Sequence, residues 1–199
     1  MGNALSSRGV LSFNMKPKQP LVFAFHGLLQ SYDARFPFLN FGAESKLVEA
    51  ATEHGCSICF PQASRKDWTK MDTPELKELV EQYRDSWQPS ALFLFGFSDG
   101  CLPAHEVTIA SKAVSAMVVH SGSYIPGVLP DRTVSIMVIG DERERIGPVR
   151  RATDRVARRY EEGGFLVVRK SQKTNRKYKH TWDPMINDSV FEFCLSVLR

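Results

Sequence analysis

The stretch that most constrains this chain is Ala91 to Gly100, ALFLFGFSDG. Ala91-Leu92-Phe93-Leu94-Phe95 is an unbroken apolar run opened by Pro89-Ser90. A run of that length with no polar alternation predicts a strand buried on both faces, as inside a parallel sheet. It leads straight into Gly96-Phe97-Ser98-Asp99-Gly100, and Cys101 to Lys112 then reads as a helix. Glycines two before and two after a serine, between strand and helix, predict a turn sharp enough for the backbone to approach itself closely. Such a turn holds the serine hydroxyl out at the end of the sheet, where a nucleophile belongs. An ordinary Gly-rich turn is the plainer alternative.

The rest of the chain alternates strand and helix. Gly9–Asn14 reads as a short edge strand, and Leu21–Phe25 as a buried strand ending in His26-Gly27-Leu28. Ala43–His54 has helical spacing and is closed by Gly55. Ser57–Phe60 is a short strand, and Pro61–Met71 a polar loop holding Trp68. Asp72 or Thr73 caps a helix with Pro74 at its first position, running to Trp87. Strands follow at Ala116–Val119, Val134–Ile139 and Phe165–Val168, with a helix at Pro148–Tyr160 and a closing helix at Pro184–Leu198. This order predicts an α/β fold of three layers, with a mostly parallel central sheet covered on both faces. Residues 1–199 read as a single domain, with 1–18 a tail or edge strand and no insertion large enough for a lid. Right-handed crossovers bring the C-terminal ends of the strands to one edge. His26-Gly27, Ser98, Asp141 and the loop to His180 all fall there.

Composition enters as a set of exclusions. No apolar stretch approaches the roughly 20 residues that span a bilayer, and Met1–Val10 lacks the layout of a secretion signal, so a cytoplasmic protein is expected. Met-Gly-Asn-Ala-Leu-Ser does match the short myristoylation pattern, which also recurs by chance. Cys56 and Cys59 have the spacing of a redox or zinc pair but lie in a strand with no second pair, so they read as small buried hydrophobes. The net charge of +4 is uneven: residues 143–179 hold 13 Lys/Arg against 4 Asp/Glu, and the remainder 13 against 18. Arginines of the 148–160 helix read as its solvated face. The run Arg169-Lys170 through Lys179 leads directly to His180, and would attract an anionic substrate. It contains only one aromatic residue, Tyr178, where single-stranded nucleic acid favours interleaved stacking platforms.

A serine hydroxyl needs a base to take its proton. Of the five histidines, His180 is best placed, after the last strand and before the last helix. His120, ending a neighbouring strand, is its rival. His105 reads as a helix-face or surface residue, His54 as structural, and His26 as packing or hydrogen bonding beneath the site.

His26-Gly27-Leu28, Phe60-Pro61 followed by Trp68, Gly96-Phe97-Ser98-Asp99-Gly100 and His180-Thr181-Trp182 together resemble the α/β-hydrolase superfamily over nearly the whole chain. Within it the chain is similar to the small lidless esterases, namely the polyhydroxybutyrate depolymerase and feruloyl esterase group and the phospholipase/carboxylesterase group. The resemblance implies a Ser98-His180-acid triad that cleaves a carboxylic ester or thioester through an acyl-enzyme, without metal or organic cofactor. It implies an oxyanion hole at the backbone N–H groups of Leu28 and Asp99. Without a lid the groove is expected to be open, lined by Leu29, Gln30, Trp68 and Trp182. The acid departs from the family pattern. Counting from Gly140 lands on Arg143, and counting back from Pro148 lands on Glu144. Glu144 is favoured for its register and reach, Asp141 stays open beside it, and Glu142 is third. The irregular acid loop leaves room for a catalytically inert binding protein of the same fold, and the basic segment for a nucleic-acid-associated one.

Overall fold

Strands that are apolar on both sides need cover on both sides. The computed structural model describes residues 9–27, 37–63, 67–131, 133–142, 144, 146–173 and 180–199, with the side chains of 37–40 set aside. The strands are β1 (Val10–Phe13), β2 (Leu21–Phe25), β3 (Ser57–Pro61), β4 (Leu92–Phe97), β5 (Val114–His120), β6 (Ser135–Asp141) and β7 (Val167–Gln172). They form one seven-stranded sheet in the order β1-β3-β2-β4-β5-β6-β7. Only the β1–β3 pair is antiparallel. The helices are α1 (Pro37–Ser45), α2 (Leu47–Glu53), α3 (Thr73–Trp87), α4 (Cys101–Ala110), α5 (Gly147–Glu162) and α6 (Asn187–Ser196).

Successive residues of a strand face opposite sides, and that period of two divides the core. Phe23, Leu94, Met117 and Val138 face one layer, with Leu76 and Val80 of α3, Ala104 and Val107 of α4, and Val156 and Tyr160 of α5. Val22, Phe95, Val118 and Ile139 face the other, with Leu47 and Ala51 of α2 and Val190 and Phe191 of α6. From β2 the chain passes to β3 on one side, and from β4 to β5 on the other. The ends of β2 and β4 therefore flank a topological switch point, where open α/β sheets form a crevice. His26-Gly27 leaves β2 there, and Ser98 leaves β4.

Two elements differ most from their sequence reading. The helix expected over Ala43–His54 starts earlier and is broken in two at Lys46, whose φ of 52° is left-handed and cannot continue a right-handed helix. The last strand runs over Val167–Gln172 rather than Phe165–Val168. It is an edge strand, so it can carry the adjacent charged pair Arg169-Lys170.

Candidate active site

The turn after β4 is tight. Ser98 has φ 54°, the left-handed region that costs a non-glycine residue about 1–2 kcal/mol. A Cβ at Gly96 would lie 2.6 Å from the Gly100 carbonyl oxygen and 2.8 Å from Cys101 Cα. One at Gly100 would lie 2.6 Å from the His26 carbonyl oxygen and nearer still to that of Phe25. Both glycines are thus set by backbone approach. Gly100→Ala presses a methyl group into two carbonyls that cannot yield without moving β2. It is expected to lower the unfolding free energy in urea by about 3 kcal/mol or more; a loss below 1 kcal/mol would contradict this packing.

Across the crevice, His26 is buried and neutral. Its Nδ1 donates to the Gly27 carbonyl (2.9 Å), while its Nε2 accepts from the Ala63 N–H (3.4 Å). The Trp68 indole N–H donates to the His26 carbonyl (2.9 Å). These bonds fix the end of β2 against Ser98, to whose Cβ a Cβ at Gly27 would come within 2.9 Å. Asp99, after Ser98, accepts the Trp68 backbone N–H at 3.0 Å, and burial holds its carboxyl above the usual range against that bond. Leu28, Leu29 and Gln30, expected at the oxyanion hole and groove, lie outside the described residues.

His180 Nε2 lies 2.6 Å from Ser98 Oγ, and His180 Nδ1 lies 2.6 Å from Glu144 Oε2. A carboxylate only accepts, so Nδ1 carries the proton and Nε2 is free to accept the serine O–H. The ring tilts against Phe97, with centroids 5.2 Å apart. The Glu144 side chain is only 2% exposed. Its second oxygen accepts the Ile146 N–H at 2.9 Å, just before α5 begins, where the helix dipole favours an anion.

Asp141 sits elsewhere in this arrangement. Its Oδ2 accepts from Gln172 Nε2 at 3.1 Å. Glu142 turns to Ser171 Oγ, 3.2 Å away. His120 is fully buried, with the Gln172 amide beside it but no well-formed hydrogen bond to either ring nitrogen among the described residues, and burial pushes it down to about 4 against the raising effect of Gln172. It packs between Phe97 and Trp182, while the hydrogen-bond partner of Ser98 Oγ is His180.

Three sequence expectations need correction. Trp68 and Trp182 do not line an open groove: they are 4% and 3% exposed. Each spends its indole N–H internally, Trp68 on His26 and Trp182 on Asn187 Oδ1 at 2.7 Å. Both rings pack into the layers beneath the site, Trp68 against Phe25 and Trp182 against Phe95. His105 is not a surface residue. It is fully buried on α4, bonded through Nδ1 to the Tyr160 hydroxyl at 2.7 Å. Helix periodicity could not find this, because α4 is covered on nearly every side and has no polar face to contrast.

Cys56, Cys59, Cys101 and Cys194 are free, buried thiols; burial raises Cys56, Cys59 and Cys101 to about 12. In the basic segment, Arg169 makes two bonds to the Glu161 carboxylate, at 2.7 and 2.6 Å. Arg176, Lys177 and Lys179 lie outside the described residues.

The buried histidines have a measurable consequence. Burial lowers His26, His105 to about 3 and His120 to about 4, against about 6.5 in an unfolded chain. Between those values the unfolded chain binds protons that the native one refuses, so their contribution is complete above pH 6.5 and is lost as pH falls towards 4. Unfolding free energy is expected to drop by about 3 kcal/mol per pH unit near pH 5, two protons' worth or slightly more. Urea titrations at several pH values would show it, and a flat profile from pH 6.5 to 4.5 would contradict it.

No protein-family model matches the sequence, and no curated protein matches it. Its architecture is familiar nonetheless: the chain has the α/β-hydrolase fold. Among solved structures, an uncharacterised Bacillus cereus protein superposes with a TM-score of 0.69 at 15% identity, over 93% of this chain. The chain spans 61% of that protein's length. An arylesterase superposes at 0.66 with 11% identity, covering 98% of this chain and 85% of the other. An S-formylglutathione hydrolase from Agrobacterium tumefaciens does so at 0.64 with 12% identity, covering 96% and 95%.

Proposed function

We propose that the protein is a serine hydrolase of carboxylesterase type, cleaving a carboxylic ester or thioester. The observation that supports it is the unbroken contact path from Ser98 Oγ through the His180 ring to Glu144, each step 2.6 Å. In this reading His180 Nε2 takes the Ser98 proton as Oγ attacks the carbonyl carbon. The imidazolium so formed faces the Glu144 carboxylate. The carbonyl oxygen gains the negative charge and rests on the N–H groups of Asp99 and Leu28. Collapse of the tetrahedral intermediate expels the alcohol or thiol, which leaves with the proton from His180. Water, deprotonated by the same nitrogen, then hydrolyses the acyl-serine and restores the serine O–H.

The inert-binder alternative drew its support from the irregular acid loop, and the Glu144–His180 contact supports the hydrolase reading over it. Two structural neighbours are named for ester and thioester hydrolysis, which agrees with the reading at the level of reaction class. The substrate is read as a small soluble molecule, with the basic segment favouring an anionic one. The test is an aryl ester series of increasing acyl length beside matching thioesters, with a fluorophosphonate probe in parallel. Saturable turnover and stoichiometric labelling are expected. Succinyl esters should be preferred over neutral ones of equal length, by a factor that shrinks as salt is raised. Neither turnover nor labelling would return the chain to the binding class.

A further inference from the structure

We infer that Gln172 is a positioning residue for His180, oriented in turn by Asp141; the inference rests on the hydrolase reading above. Gln172 ends β7 and pairs in register with Asp141 at the end of β6. It is 4% exposed, and its amide is in use at both ends. Nε2 donates to Asp141 Oδ2 at 3.1 Å and to the Thr181 carbonyl at 2.9 Å. Oε1 accepts the Asp183 N–H at 3.3 Å. One side chain thus grips the backbone on both sides of residue 182, beginning at the residue after His180. Trp182, buried between these two bonds, anchors the same segment from within.

The chemistry requires this residue type. The site needs two donors and one acceptor on one planar group, which an amide supplies; a carboxylate has no donor, and a methionine has no donor and only a weak acceptor. Asp141 decides which way the amide faces. Its carboxylate can only accept, so it draws Nε2 towards itself and leaves Oε1 for the Asp183 N–H. An amide turned the other way would set oxygen against both the carboxylate and the Thr181 carbonyl. The carboxylate at the strand end therefore holds the strap that carries the imidazole, while Glu144 touches the imidazole itself.

A misplacement of about 1 Å at a reacting group can cost about 100-fold in rate. Gln172→Met keeps volume and burial but removes all three bonds. With p-nitrophenyl acetate as probe, its kcat is expected to fall about 10- to 100-fold with KM within about twofold, and fluorophosphonate labelling should slow in parallel. By proton NMR, the far-downfield resonance of the His180 Nδ1 proton shared with Glu144 should vanish or shift. Wild-type kcat, labelling rate and resonance in this variant would overturn the inference and leave the hydrolase reading intact. If the wild type itself neither turns over nor labels, the hydrolase reading fails; the resonance then decides alone, its loss supporting the positioning role and its persistence refuting it. Should Gln172→Met not fold, Gln172→Asn, an amide one methylene too short to reach both partners, is read against the same outcomes.

Discussion

Replacing Ser98 with alanine is expected to cut kcat for an aryl ester by about 10⁶-fold and to abolish fluorophosphonate labelling. The expectation follows from the path of the proton. In the geometry seen here, Ser98 Oγ is the atom within 2.6 Å of His180 Nε2. An alanine methyl group offers neither a bond-forming oxygen nor a proton to transfer. His180→Ala should cost nearly as much, and the double variant little more than either single one, since the two groups act as one unit. Independent, additive losses would mean that hydrolysis runs by another route. The fold should tolerate Ser98→Ala, although the left-handed φ stays equally unfavourable for alanine. A circular dichroism spectrum and thermal midpoint close to wild type are the accompanying control.

The second large effect separates the two carboxylates. Glu144→Gln is expected to lower kcat/KM by about 10³- to 10⁴-fold, and Asp141→Asn by about tenfold or less. Glu144 accepts two N–H groups at once, from Ile146 and from His180 Nδ1. A glutamine has a single oxygen for these two donors. If the oxygen serves Ile146, the NH₂ group faces Nδ1 and forces the ring proton onto Nε2. In that tautomer the imidazole cannot accept the serine proton. At Asp141, by contrast, an asparagine carbonyl can still accept from Gln172 Nε2, so its main task survives. Equal losses in the two variants would mean that both carboxylates serve the imidazole; a larger loss at Asp141 would exchange their roles. Steady-state kcat/KM with one aryl ester across the three proteins decides between these cases.

Much of the fold was legible along the chain because it depends on local pattern. The run Leu21–Phe25 and the run into Gly96 are apolar without alternation, and both are inner strands buried on each face. The elements read less well were those where position in the sheet outweighs composition. Arg169-Lys170-Ser171-Gln172 looks like the start of a basic loop, yet it pairs along its length with β6 because an edge strand may carry charge. That misreading hid Gln172. The strand reads as two apolar residues followed by four polar ones, with no alternation, so periodicity offered no signal for Gln172. The two tryptophans were misplaced for a related reason: an amphipathic ring near a site in sequence can as well be roof beam as wall. Which one it is depends on whether the indole N–H finds an internal partner.

By itself, then, the order of residues determined the layered architecture, the tight turn at Ser98 and the edge of the sheet where chemistry could gather. These rest on burial, backbone sterics and the handedness of crossovers, all of which act over short stretches of chain. Only the tertiary structure decided which acidic side chain reaches the imidazole, what grips the loop after it, and which histidines are sealed in the core. Glu144 and His180 are 36 positions apart, and Gln172 and Asp141 are 31. Contacts across such gaps depend on how far two loops lean over a shared edge. A shift of one residue in either loop would change the partners without altering the pattern of strands and helices.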